Sequence, residues 1–218
     1  MLKFPCLVLD HDDTVVMSEQ ANNYPAFLLA LERFRPGETI TLEEYTRGCF
    51  HPGFHELCVE RYHFTQEELT QEFQMWQDYI RDKIPPLFPG IERIIERQHN
   101  AGGLICVVSH SSEFTINRDY HHYFGFLPDA VYGWDYPPEK RKPNPFPLQD
   151  IMDRFGLKPQ EILLVDDLRP GCDMARAVGV RSAYAGWGHL PIPEINQYME
   201  KHCDFAFSSP AELEEFLF

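Results

Sequence analysis

The chain has 218 residues, with 34 acidic against 19 basic side chains and a formal net charge of −15. Nucleic-acid binding relies on clustered Lys and Arg, so this balance argues against a polyanionic partner, and no nucleic-acid partner is expected. The length suffices to bury a substantial apolar core without disulfide or metal staples, and no apolar run approaches a membrane span.

The six cysteines are scattered without a Cys-x-x-Cys pair, and Cys6 and Cys106 fall inside apolar runs, which reads as core thiols in a reducing compartment. Near the amino terminus a single Lys3 and an apolar stretch broken by Pro5 do not make a secretory signal. A soluble, cytoplasmic protein with no membrane partner is expected. The sequence sets no oligomeric state.

The first predicted strand is Cys6 to Leu9, which runs straight into Asp10, His11, Asp12, Asp13 and Thr14. Three acids within four residues at a strand's carboxyl end repel one another unless a cation or protons compensate, and a divalent metal is the natural remedy. Open α/β sheets bind ligands just outside those strand ends. A solvated acidic turn is the alternative reading of Asp12 and Asp13 taken alone. In an extended stretch side chains alternate, so Asp10 and Asp12 share one side and His11 points away, expected to be packed or hydrogen-bonded instead of catalytic.

Between residues 18 and 84 no strand pattern appears and apolar residues recur at helical spacing, which predicts an inserted all-helical domain. Residues 1–17 and 85–218 then form the core. Thr41 with Glu44 and Thr65 with Glu68 have the spacing of capping boxes. Leu69, Phe73, Trp76 and Ile80 form one apolar stripe, read as packing between helices of the insert. Arg47, Gly48, His51, Gly53 and His55 are expected in a loop and helix start. His51 and His55 have a metal-binding helical spacing, but Pro52 and Gly53 intervene, so structural or solvent-facing roles are favoured, as for His121 and His122.

The core resumes with a helix over Gly90 to Asn100, a strand over Leu104 to Val108 ending in Ser109, His110, Ser111 and Ser112, a helix over Glu113 to Tyr120 and a strand over Ala130 to Gly133. Lys140, Arg141 and Lys142 follow, then Pro143, Asn144 and Pro145, which impose a non-helical entry into a helix over Pro147 to Phe155. A strand over Ile162 to Val165 ends in Asp166-Asp167, followed by a helix over Gly171 to Val178, a strand over Arg181 to Ala185 and a short strand near Phe205. Ser209, Pro210 and Glu212 read as cap, first position and reciprocal cap of a closing helix. The alternation predicts the α/β class, a doubly wound, Rossmann-like parallel sheet carrying an inserted all-helical cap.

The ordered set Asp10-x-Asp12-x-Thr14-Val15, a strand ending in Ser109, Lys142 heading a Lys-Pro-x-Pro stretch, and a strand ending in Asp166-Asp167 resembles the haloacid dehalogenase superfamily over nearly the whole chain. Gly186-Trp187-Gly188 and the segment from Phe205 to Leu217 are similar to its phosphoglycolate phosphatase-like branch. The resemblance implies a cap that closes over the active site on hinges at Val15 to Glu19 and Ile84 to Pro89. It also implies a phosphatase that passes a phosphoryl group through Asp10 to water, with Asp12 as general acid and base. Ser109, the His110 amide, Thr14 and Lys142 would contact the phosphate, and Arg47 a carboxylate or second phosphate of the substrate.

Hard oxygen donors suit Mg²⁺, assigned to the Asp10 carboxylate, the Asp12 carbonyl and Asp167, with Asp166 directly or indirectly involved. The family often has Gly where Asp13 stands and Asn where His110 stands, and Gly171 replaces a further acid. Metal-free dehalogenation is disfavoured by Asp12 and Asp167. A phosphonatase needs a cap lysine for a Schiff base, and Lys83, the one lysine of the insert, lies at its exit. The expected substrate is a small phosphate ester. A phosphomutase and a non-catalytic phosphate-binding module remain as alternatives.

Overall fold

The computed structural model describes residues 2–218. The chain up to Val16 together with Leu87–Phe218 forms one compact unit, and Met17–Pro86 forms a second.

The first unit is built on six parallel strands, β1 (Cys6–Leu9), β2 (Leu104–Val108), β3 (Ala130–Tyr132), β4 (Ile162–Asp166), β5 (Arg181–Ala185) and β6 (Phe205–Phe207). Their order is β3-β2-β1-β4-β5-β6. The chain leaves β1 toward β2 on one side and later returns to place β4 on the other. Leu9 lies beside both Val107 and Val165, so the carboxyl ends of the three central strands are level. The order reverses between β1 and β4, and a crevice for ligands opens at such a switch point.

Both faces of the sheet are covered, which is why its central strands are apolar without alternation. Leu7, Leu9, Ile105, Val107, Leu163 and Val165 pack on one face against Ile91, Ile94 and Ile95, Ile116 and Tyr120, and Leu213 and Leu217. Those residues belong to α5 (Ile91–Asn100), α6 (Glu113–Phe124) and α10 (Pro210–Leu217). On the other face Cys6, Val8, Cys106, Val108, Ile162 and Leu164 meet Leu148 and Ile151 of α7 (Phe146–Phe155) and Met174 and Ala175 of α8 (Arg169–Val178).

The second unit is helical throughout, with a π-helical turn at Glu19–Asn23 leading into α1 (Tyr24–Phe34), then α2 (Leu42–Phe50), α3 (Phe54–Glu56), another π-helical turn at Leu57–Arg61, and α4 (Gln66–Ile80). Phe27, Leu31, Ile40, Tyr45, Leu57, Tyr62 and Phe64 make its core, with Leu69 packed against it. Thr41 and Thr65 each cap their helix in a reciprocal box with Glu44 and Glu68. From the α4 stripe, Ile80 is buried, Phe73 and Trp76 stack at 5.6 Å, and Trp76 Nε1 donates to Asn23 Oδ1 at 2.9 Å. Among the described residues no helix is long and apolar enough to cross a membrane.

Several expected elements differ in the structure. A further helix, α9 (Pro193–His202), follows β5, where the sequence pattern predicts no element. Pro193 opens that helix, a place where a missing N–H costs nothing, and Ile195 and Met199 bury its inner side. Helix α6 extends four residues past Tyr120 to Phe124 and closes on Gly125 in the left-handed conformation, while α8 starts at Arg169 ahead of Gly171. The closing helix is capped by Ser209, but Glu212 accepts from Ser208 N and Oγ instead of reciprocating to Ser209. Arg47 and Gly48 lie within α2, not in a loop. His51 is extended and Gly53 has φ +136°, so no continuous helix brings His51 and His55 one turn apart.

Candidate active site

The loop after β1 is drawn into a tight turn by its own backbone. Asp10 N donates to Val165 O at 2.9 Å, anchoring the strand end to β4. Val15 N and Val16 N both donate to His11 O, and Asp13 N donates to Val16 O. Closing that turn puts Asp13 at φ +54°, a left-handed conformation that Asp tolerates better than most residues and Gly best of all. Asp12 is half-buried on this turn, and Thr14 is fully buried with its carbonyl accepting from Trp187 Nε1 at 3.1 Å.

At the end of β2, Ser109 N donates to Tyr132 O, and Ser109 Oγ accepts from Ser111 N at 3.2 Å, which leaves the hydroxyl proton to donate elsewhere. Gly133 lets β3 press on this loop, since a Cβ there would sit 2.7 Å from Ser111 O. The His110 ring donates from Nε2 to the Lys142 carbonyl at 2.9 Å and lies edge-on to Trp134.

Lys142 is buried, and its ammonium donates to Asp10 Oδ1 at 2.6 Å and to Asp166 Oδ2 at 2.7 Å. The other oxygen of Asp166 accepts from Leu168 N at 2.9 Å. Two glycines make room for the acids of β4. A Cβ on Gly171 would lie 2.1 Å from Asp166 Oδ2, and one on Gly188 would lie 2.0 Å from Asp13 O and 2.8 Å from the Asp167 Cβ.

Asp10, Asp166 and Asp167 are all buried and offer oxygens within 4.8 Å of one another. One ammonium faces three carboxyls in a region where water screens little. Burial works to lower the Lys142 ammonium, but Asp10 and Asp166 outweigh it and hold it above its ordinary value. Burial raises Asp167 well above the usual carboxylate range, and Asp10, Asp166 and Asp13 push it further. Asp166 is raised as well, by burial and by Asp10, against the pull of Lys142. An all-oxygen set carrying this much unbalanced negative charge fits a hard divalent cation such as Mg²⁺.

Asp10, Lys142, Asp166 and Asp167, encoded far apart, thus meet at the carboxyl end of the sheet, with Ser109 and His110 following the neighbouring strand. Arg47 belongs to the helical unit, where it pairs with Glu43 one turn earlier at 2.7 Å. Trp134 and Asp119, which hold His110 and His11, were not among the residues expected at the site. Asp119 follows His11 by 108 residues, and no local spacing signals that pairing.

A doubly wound parallel sheet thus gathers three buried acids and a lysine at the carboxyl ends of its central strands, the architecture of an α/β protein with a charged site at its switch point. The sequence profile of haloacid dehalogenase-like hydrolases matches residues 7–185, and the chain belongs to that family. It is 32% identical over 104 residues to the phosphoglycolate phosphatase of Aliivibrio fischeri, a match that spans 47% of this chain and 45% of that protein. With the phosphoglycolate phosphatase of Vibrio vulnificus it shares 24% identity over 179 residues, 71% of this chain and 78% of the relative. The fold is shared with a mutant of CbbY from Rhodobacter sphaeroides, solved in complex with xylulose-(1,5)bisphosphate, at a TM-score of 0.77, 17% identity and 96% coverage of each chain.

Proposed function

We propose that the chain is a Mg²⁺-dependent phosphatase of a small phosphorylated metabolite, working through an aspartyl phosphate on Asp10. The observation that carries this reading is the single buried ammonium of Lys142 bonded at once to Asp10 and Asp166, with Asp167 alongside. The phosphoglycolate phosphatases among its relatives support a small phosphomonoester as substrate.

Lys142 fixes the rotation of the Asp10 carboxylate, which attacks phosphorus in line as the bond to the leaving oxygen breaks. Asp12 gives that oxygen its proton. Water then attacks the phosphorus of the aspartyl phosphate, Asp12 takes the water's proton, and Asp10 is released together with inorganic phosphate. The Ser109 hydroxyl, held by Ser111 N, donates to a phosphoryl oxygen, and the charge of Lys142 offsets the negative charge gathering there. Asp10, the Asp12 carbonyl and Asp167 would hold Mg²⁺, while Asp166, committed to Lys142 and Leu168 N, stands behind them. When bound, the ion supplies positive charge against the phosphoryl oxygens and relieves the repulsion among the acids.

The test is a panel of phosphoglycolate, sugar phosphates and nucleotides assayed for phosphate release. The wild-type protein turns over at least one of them, EDTA silences it, Mg²⁺ restores it, and Asp10→Asn is inactive. More than a tenth of wild-type activity in Asp10→Asn removes Asp10 as nucleophile. Hydrolysis of no member would favour a phosphate-binding module, and transfer to a sugar phosphate a mutase.

A further inference from the structure

His11 lies between Asp10 and Asp12, and its side chain reaches α6 on the face of the sheet that this helix covers. Its side chain is 1% exposed, and Nε2 lies 3.0 Å from Oδ2 of Asp119, itself 1% exposed. A carboxylate only accepts, so Nε2 carries the proton. The second oxygen of Asp119 accepts from Arg118 Nε at 2.8 Å. The Tyr120 ring lies 6.1 Å from that of His11 and belongs to the apolar core that also holds Val15, Val16 and Ile116.

Stability alone does not explain such a pair. Replacing both partners of a buried hydrogen bond by apolar groups of matching shape is close to neutral, whereas removing one partner leaves the other unsatisfied. What the pair adds over apolar packing is direction. His11 O is the acceptor on which the turn closes, through Val15 N and Val16 N, so the orientation of this residue sets the turn that presents Asp10 and Asp12. Asp119 rides on α6, whose amino terminus is capped by Ser112 at the end of the Ser109 loop.

We propose that the His11–Asp119 hydrogen bond is a positioning device that holds the Asp10 turn at a fixed spacing from the Ser109 loop. This rests on the phosphatase reading, because the spacing matters only if both loops grip one phosphoryl group. Such coupling acts on turnover, since reacting atoms must be held close to attack geometry, and a misplacement on the order of 1 Å costs roughly 100-fold.

The experiment compares wild type with Asp119→Ala, Asp119→Asn and the double variant His11→Phe with Asp119→Leu, measuring kcat, KM and melting temperature with para-nitrophenyl phosphate and Mg²⁺. Asp119→Ala is expected to lose at least tenfold in kcat at a KM within twofold of wild type. Asp119→Asn, which keeps an acceptor for Nε2, stays within threefold. The double variant regains the wild-type melting temperature but not its kcat, which separates positioning from stability.

A double variant or an Asp119→Ala protein with kcat within threefold of wild type overturns the proposal, as does an Asp119→Asn protein that falls as far as Asp119→Ala. Should the double variant not fold, the two single variants decide. Should wild type hydrolyse no ester, the phosphatase reading fails separately, and the pair is judged by binding of inorganic phosphate. That binding weakens at least tenfold in Asp119→Ala if the spacing is set by the pair, and a change within twofold refutes it.

Discussion

Gly171→Ala changes one hydrogen for a methyl group in the first turn of α8, yet it strikes the centre of the charge network. The added carbon would lie 2.1 Å from Asp166 Oδ2 and 2.5 Å from its Cγ. Since such atoms rest near 3.5 Å, the carboxylate or the helix must retreat by about 1.4 Å. The oxygen displaced is the one that accepts from Lys142 at 2.7 Å. Losing a hydrogen bond between charged groups costs about 1.5–3 kcal/mol, which corresponds to a fall in kcat of roughly 10- to 150-fold if the bond orients Lys142 on Asp10. The same loss lowers the melting temperature by roughly 3–12 °C for a chain of this size. Steady-state assays with an aryl phosphate in Mg²⁺ buffer, paired with thermal melts, measure both. A variant with kcat within twofold of wild type and an unchanged melt refutes the argument that Asp166 is held by that close approach.

Glu72 is buried in the helical unit at 6% exposure, and burial raises its carboxyl to about 7 from an ordinary 4.5. The folded state therefore binds this proton more tightly than the unfolded chain, so the contribution is favourable at low pH and is lost as pH rises from about 4.5 through about 7, a change on the order of 3 kcal/mol. Glu72→Gln should be the more stable protein at pH 8 and should flatten that slope, and denaturant melts from pH 5 to 8 that are parallel for both proteins refute it. Thr65→Ala removes the side-chain cap that accepts from Glu68 N at 3.2 Å and should cost about 1 kcal/mol, read as a lower urea midpoint with an unchanged slope. Mg²⁺ at 100 times its dissociation constant should stabilise the folded chain by about 2.7 kcal/mol. Asp167→Asn should lose most of that gain in a thermal melt, and an equal gain in the variant removes Asp167 from the metal set.

The acids at the ends of β1 and β4, the hydroxyl at the end of β2 and the order of strands and helices are all written locally. A run of β-branched and apolar residues stops at a polar cluster, and that contrast needs no partner to be recognised. The capping boxes at Thr41 and Thr65 are equally local, because the groups that satisfy the helix ends lie three residues apart. Helix α9 escaped the same reading because Pro193 marks a loop and a helix start alike, and only burial of Ile195 and Met199 separates the two.

Tertiary structure alone decided who faces whom. Lys142 reaches Asp10 across 132 residues and Asp166 across 24, and His11 meets Asp119 across 108. No periodicity encodes such pairings, because they arise from the side-by-side register of parallel strands joined by long crossovers. The steric role of Gly171 and Gly188 is silent in sequence for the same reason, since the carbon they lack would collide with atoms that come near only once the sheet has assembled.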